Sequence, residues 1–301
     1  MSDANTQLRP EARPYLVSVL VPLYNHASTV VRALDSILQS DTSTICLIVC
    51  DDASSDRSLE VAQSWIGANG HRFASALVLT NPKNLGITRN LNGLLAYARG
   101  EYVTLLASDD ELAARAIDVQ AAYLQSNQDI DFLFANCGTI DAVSEIVNDR
   151  VVSDRRAAWM RRANCAMLDI VFNWSLPWTR LFARRAAFTR LGPYPQRYVF
   201  EDRWATLQIA RTKRFGYLHT VVHLYRLRPA GLGTAGLDRT QMLKDTFEIE
   251  EEALTRTRGW LWFLLRIHTL AHVRTSWWAP MRVVCRAIQL VLILGHRLFT
   301  R

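Results

Sequence analysis

An α/β fold, a mostly parallel sheet with helices on both faces, is predicted by three features of this 301-residue sequence. Short β-branched runs alternate with segments of helical periodicity, the pattern of βαβ units. The runs are apolar throughout rather than alternating, as strands covered on both faces are. Acidic pairs stand just past the ends of two runs, on the edge where open α/β sheets receive ligands.

Residues 1–14 are polar, carry two prolines and lack the apolar stretch of a signal peptide, so they read as a disordered lead. Residues 16–22 (LVSVLVP) form the first strand. Residues 27–39 read as a helix, with Ser28 or Thr29 placed to cap it and Val30, Leu34, Ile37 and Leu38 at helical spacing. A second strand at 44–50 (TICLIVC) ends at Asp51-Asp52. A helix at 58–66 and a third strand at 76–79 follow. The helix at 85–99 is closed by Gly100, and a fourth strand at 102–106 ends at Ser108-Asp109-Asp110.

A second half begins near Asp129, with a strand at 131–136, a helix over 157–172 and an irregular aromatic stretch at 174–182. A short helix at 186–191 is stopped by Gly192-Pro193. A helix at 201–211, a strand at 215–226, a flexible loop at 231–236 (GLGTAG) and a charged helix at 241–257 complete the order. No internal repeat or low-complexity segment interrupts it.

Lys and Arg number 35 against 28 Asp and Glu, a net charge of +7. That excess is local: residues 256–301 hold eight Arg and no Lys, Asp or Glu, and the remainder is close to neutral. A nucleic-acid binder, which needs basic and aromatic residues interleaved over its globular part, is therefore disfavoured. The five cysteines are odd in number, include no C-x-x-C pair and sit in apolar surroundings, as reduced buried thiols of a cytoplasmic protein do. No stretch reaches the roughly 18–20 uninterrupted apolar residues of a membrane span.

Three acidic pairs carry the chemistry. Asp51-Asp52 and Asp109-Asp110 follow strands, and Glu201-Asp202 opens a helix. Clustered carboxylates need a cation, a proton or a basic partner. A divalent metal with phosphate oxygens is the natural one. Asn84, Arg89 and Asn90 offer further contacts for an anion. There is no Walker A segment and no G-x-G-x-x-G, so a glycine cradle for phosphate is absent.

The ordered set of motifs resembles glycosyltransferase family 2, inverting nucleotide-sugar transferases of GT-A fold. VSVLVPLYN is similar to the family's first strand, and IVCDDASSD to its nucleotide-binding D-D-G-S-x-D segment, with Ala53 in place of Gly. NPKNLGITRNLNGLLAYARGEYVTLLASDDEL is similar to the N-x-G…R-N…A-x-G-E-Y…D-D block. TRLFARRAAFTRLGPYP followed by EDRWATLQIA resembles the acceptor-side segment, and YRLRPAGL the closing Y-R-x-H-P strand. Two positions depart from the pattern: Ala107 stands where many members have another Asp, and Arg228 where His is usual.

The resemblance implies a Rossmann-like mixed sheet over 15–238, divided into a nucleotide-sugar-binding half (15–128) and an acceptor half (129–238). Pro22, Tyr24 and Asn25 would line the base pocket, Asp52 would accept from the base, and Arg89 would face the nucleotide. Ser108 and Asp109 would approach the ribose, and Asp110, with Asp109, would hold Mg2+ or Mn2+ against the diphosphate. Asp202 would be the general base, with Glu201 the second candidate. The reaction implied is single displacement from a nucleotide-diphosphate sugar onto a saccharide or lipid-linked saccharide in cell-envelope polysaccharide synthesis. It needs no covalent nucleophile. A catalytically degenerate binding partner in a glycan-assembly complex is the alternative. A nucleotidyltransferase would want a Gly-rich basic loop after the first strand, which LVPLYNHAS lacks.

Weaker signals remain. His219/His223 and His268/His272 are i,i+4 pairs with a structural reading favoured for the first. Trp159, Trp174, Trp178 and Trp204 suit core packing more than an acceptor shelf. Arg184-Arg185 suits a phosphate or a solvated face. Residues 239–301 read as a helical, membrane-associating region. Arg282, Arg286, Gln289, His296 and Arg297 share a narrow stripe there, and Trp260, Trp262, Trp277 and Trp278 precede or flank it. An anionic membrane surface on the cytoplasmic side is the implied partner of this tail, packing as a hairpin or an oligomer interface being compatible with it.

Overall fold

The structure, a computed structural model, describes residues 16–173, 175, 180–198, 201–227, 239–272, 287–288 and 291. Strands β1 (Val17–Leu23), β2 (Ile45–Asp51), β3 (Ser75–Thr80) and β4 (Tyr102–Leu105) are parallel. Their spatial order is β3-β2-β1-β4, so the winding reverses at β1. The crevice past the ends of β1 and β4 is the topological switch point, where ligands of such sheets bind.

The sheet continues past β4 through β8 (Leu181–Arg184), β6 (Phe132–Ile140), β9 (Phe215–Arg226) and β5 (Glu111–Leu112), with β7 (Ile146–Asn148) beside β6. β8 runs antiparallel to both β4 and β6, while β6 and β9 are parallel. The antiparallel β8 therefore enters beside the end of β4 that carries the acidic pair.

Successive residues of β1 enter opposite cores. Val17, Val19, Val21 and Leu23 pack with α1 (Val30–Ile37), α2 (Ser58–Asn69) and α4 (Ala116–Ser126). Leu20 faces the other core, built with α3 (Ile87–Tyr97), α5 (Asp154–Met160), α6 (Ala163–Phe172), α7 (Arg185–Leu191) and α8 (Glu201–Thr212). Helices α9 (Arg239–Arg256) and α10 (Gly259–His272) join that second core through Ile249, Ala253, Leu254, Leu261, Leu264 and Leu265. The first half of the 239–301 region is thus packed on the body of the protein, α9 against the helix that begins with Glu201-Asp202 and α10 against α6 and α9. The predicted stripe at 281–299 and the 231–236 loop lie outside the described residues, apart from 287, 288 and 291.

Gly100 shows why the turn before β4 excludes a side chain. A Cβ there would stand 2.6 Å from the Ser18 nitrogen and 2.7 Å from the Val17 carbonyl carbon. The Ser18 hydroxyl caps the same turn, accepting from the Arg99 and Gly100 nitrogens at 3.0 and 2.9 Å.

Four local expectations are corrected. The helix expected at 27–39 begins at Val30, because Asn25 takes a left-handed φ of 54° and residues 26–29 turn on His26 O. Its expected caps make no cap bond, and Thr29 Oγ1 donates to Ser108 O at 3.2 Å instead. The single helix at 157–172 is two, α5 capped by Ser153 and α6 preceded by extended Arg162. The end of the aromatic stretch, Leu181–Phe182, opens β8. The helix α4, which the sequence pattern does not announce, starts after left-handed Arg115 without a side-chain cap.

Ala53 also sits at positive φ, 57°, where the family segment usually has glycine. A left-handed conformation costs a residue with a Cβ about 1–2 kcal/mol. Ala53→Gly is expected to stabilise the fold by about 1 kcal/mol, read as a rise of about 2–4 °C in a melting curve.

Candidate active site

The site is assembled at the switch point. After β2, the segment 51–58 folds upon itself. Asp51 accepts from the Ser54 nitrogen at 3.0 Å and the Ser54 hydroxyl at 2.5 Å. Asp56 accepts from the Ala27 and Ser58 nitrogens at 3.1 and 2.9 Å. Asp52, buried, accepts from Asn81 Nδ2 (2.8 Å), the Leu85 nitrogen (2.9 Å) and the Gly86 nitrogen (2.8 Å). Gly86 holds φ at 81°, so the N-x-G turn is pinned to Asp52 by a backbone that favours glycine. Three of the bonds that the Asp52 carboxylate can make are therefore spent on the protein.

Asn25 is likewise engaged. Its Oδ1 accepts from the Ser55 nitrogen at 2.8 Å, and its own nitrogen donates to Ser54 Oγ at 2.9 Å. Tyr24 beside it is exposed, and Pro22 is partly exposed at the end of β1. Arg89 donates from Nε to Gln196 Oε1 at 2.8 Å near the surface. Asn90 is buried and gives its amide to Cys50 O at 3.1 Å.

The loops after β1 and β4 meet through His26, whose Nδ1 lies 2.8 Å from Ser108 Oγ and 4.0 Å from Asp109 Oδ1. Asp110 is buried. Its Oδ2 lies 3.2 Å from Arg180 Nη1 and 3.1 Å from His223 Nε2, and its Oδ1 accepts from the Arg226 nitrogen at 2.9 Å. Burial alone would raise the Asp110 carboxyl, but the Arg180 charge and the His223 and Arg226 bonds hold it below the usual range. Burial, with Arg180 adding to it, pushes the His223 imidazole down. Arg226 clamps the same loop, donating from Nε to Asp109 O at 2.7 Å and from Nη1 to Asp141 O at 2.6 Å.

Glu201 and Asp202 open α8 beside this network. Burial, reinforced by the Asp202 charge, pushes Glu201 up to about 8. Burial also raises Asp202, opposed by the Arg203 nitrogen and by the charges of Arg180 and Arg203. Arg180 pairs with Asp110 at 3.2 Å, and its charge also acts to lower the Asp202 carboxyl.

Asp110 does not fit a metal ion in this arrangement. Both of its oxygens are taken, Oδ2 by Arg180 and His223 and Oδ1 by the Arg226 nitrogen, so neither is open to an ion. Arg180, His223 and Arg226 have no site role in the sequence reading. Their signals were in the sequence: Arg180 and Arg226 fall within the quoted motifs, and His223 within the i,i+4 pair. That pair does not act together, since His219 Nε2 goes to Asp154 Oδ1 at 2.6 Å and β-bulges opposite Asn136 separate it from His223. Arg184 and Arg185 are structural, donating to the main-chain oxygens of Leu124 at 2.6 Å and Gly100 at 2.7 Å. Trp204 is in the core, and Trp159 packs against it.

A mixed sheet whose switch point gathers two acidic strand ends and an acidic helix start has the GT-A fold of nucleotide-sugar transferases. The chain belongs to glycosyl transferase family 2, whose family model matches residues 18–176. It is 32% identical over 126 residues to UDP-Glc:alpha-D-GlcNAc-diphosphoundecaprenol beta-1,3-glucosyltransferase WfgD of Escherichia coli, covering 40% of this chain and 46% of that protein. Abequosyltransferase RfbV of Salmonella typhimurium is 31% identical over 117 residues, covering 38% of this chain and 34% of its own length. The chain thus spans less than half the length of the curated relatives it matches. Among solved structures, S. aureus TarS 1–349 with UDP-GlcNAc superposes with a TM-score of 0.63 at 18% identity, covering 87% of this chain and 74% of that one. The mannosyltransferase PcManGT from Pyrobaculum calidifontis, solved with GDP-Man and Mn2+, also gives 0.63 at 19% identity, covering 96% and 79%.

Proposed function

We propose that this chain transfers a sugar, with inversion, from a nucleotide-diphosphate donor to a saccharide acceptor. The observation that carries the reading is Arg180, which pairs with Asp110 after β4 at 3.2 Å and whose charge also acts on Asp202 at the start of α8. An acceptor hydroxyl oxygen attacks the anomeric carbon, and its proton passes to the Asp202 carboxylate. The bond from that carbon to the phosphate oxygen breaks, and its electron pair leaves with the nucleoside diphosphate. One carboxylate on the face opposite the leaving group inverts the anomeric centre. Tyr24 offers an exposed aromatic face to the base, with Pro22 and Asn25 shaping the same rim.

The acceptor reading rests on the relatives. WfgD is named for a diphosphoundecaprenol-linked acceptor and RfbV for abequosyl transfer, which favours a lipid-linked saccharide in cell-envelope polysaccharide synthesis. No helix among the described residues is long and apolar enough to cross a membrane. Trp260, Trp262 and Phe263 stand exposed on α10, which supports contact of this end of the molecule with a membrane surface. A divalent ion reaching Asp109 and Asp110 with the donor would first have to take Arg180 off Asp110. Melting curves with UDP and with GDP test the reading. A bound nucleoside diphosphate at 100 times its Kd stabilises by about 2.7 kcal/mol, an upward shift, and no shift with either would contradict it.

A further inference from the structure

We propose that Arg180 is the cation that meets the donor's diphosphate, standing where this fold otherwise places a metal ion; the inference rests on the function proposed above. Arg180 Nη1 lies 3.2 Å from Asp110 Oδ2 and 3.3 Å from His223 Nε2, and those two atoms are 3.1 Å apart. The Asp110 carboxylate thus faces the guanidinium while His223 hydrogen-bonds the same oxygen, so the cation that meets this carboxylate is Arg180.

The position is built rather than incidental. Arg180 immediately precedes β8, and Thr104 Oγ1 of the neighbouring β4 donates to Leu181 O at 3.0 Å, tying the strand start to the end of β4. The guanidinium carbon lies 5.2 Å from the centre of the Tyr225 ring, which braces it from another side. Its Nε is buried and has no hydrogen-bond partner among the described residues. A buried donor without a partner costs stability unless a ligand supplies an acceptor. A phosphate oxygen is the acceptor an arginine fork matches in shape and charge.

In this reading Arg180 does not transfer a proton. It binds the diphosphate and offsets the charge that grows on the leaving oxygen as the glycosidic bond breaks. Asp110 holds it in place.

The test is nucleoside-diphosphate affinity of the full chain, measured calorimetrically with UDP and with GDP, in EDTA and again in Mn2+. The expected result is a Kd that changes by less than about threefold between the two conditions. Arg180→Ala should weaken binding in EDTA by about 10–100-fold, the value of a charge-assisted hydrogen bond. Arg180→Lys, with charge but no fork, should fall between and serves if the alanine variant does not fold. Wild-type affinity that collapses in EDTA and returns with Mn2+ would overturn the proposal, as would variants that bind in EDTA like the wild type. Absence of binding in every condition would instead overturn the transferase reading on which it stands.

Discussion

On the function proposed above, Asp202→Asn is expected to lower the rate of sugar transfer by about 10²–10⁴-fold, the usual contribution of a positioned general base, with nucleotide affinity retained. The amide keeps the shape of the α8 start and the acceptor for the Arg203 nitrogen, now 2.8 Å from Asp202 Oδ1, but cannot take the hydroxyl proton. A variant with full turnover would remove Asp202 from the mechanism. The pH dependence has a definite sign. Burial first of all raises Asp202, so activity declines on acidification at a pH above the ordinary carboxylate range. Stability runs the other way. Glu201, pushed up to about 8 by burial and by Asp202, keeps in the native state a proton that the unfolded chain releases near its ordinary value of 4.5. The pair's contribution is therefore fully present below that value and is lost as pH rises toward 8. Glu201→Gln should flatten the melting temperature over this window.

Glu250→Ala is expected to destabilise the protein by about 3–5 kcal/mol, the cost of breaking a buried ion pair by removing one partner. Glu250 on α9 meets Arg203 of α8 at 2.7 Å and His268 of α10 at 2.9 Å, with Glu250 and Arg203 both buried. Arg203 also donates to Ile170 O at 2.5 Å, so one cluster fastens α6, α8, α9 and α10. The charges of Arg203 and His268 hold Glu250 down to about 2, although burial, the largest influence, acts to raise it. Removing Glu250 leaves a guanidinium charge in the core next to Asp202. Melting curves should show a fall of about 10 °C, whereas a loss below about 1 kcal/mol would place the pair at the surface in solution. The combined change Arg203→Met and Glu250→Leu should cost less than Glu250→Ala, because no charge is left unpaired.

Local pattern was enough for much of the nucleotide half. Each of β1 to β4 carries an apolar run whose ends fall within a residue or two of the strand, and Gly100 closes the approach to β4 where expected. The strand at 215–226 is also recovered as β9, since aromatic and β-branched residues fill it. The partners of Asp110 were harder to read. They come from β9 and from the residue just before β8, 70 to 116 positions away, and no periodicity records which strand will lie beside which. The same limit governs β8, whose four residues close the sheet only because β4 and β6 flank it. Roles implied by resemblance alone met a different obstacle. A conspicuous Asp or Asn at a strand end can serve the ligand or the loop, and Asp52 and Asn25 both spend bonds on loops. Arg180 carries the opposite lesson, being inconspicuous in TRLFARR and central once the sheet is assembled.

Inverting transfer is measured by following labelled sugar from a panel of nucleotide-diphosphate donors onto saccharide and lipid-linked saccharide acceptors, and reading the anomeric configuration of the product. The proposed function expects transfer from one donor class, release of one nucleoside diphosphate per sugar moved, and inversion at the anomeric carbon. Transfer with retained configuration would contradict it.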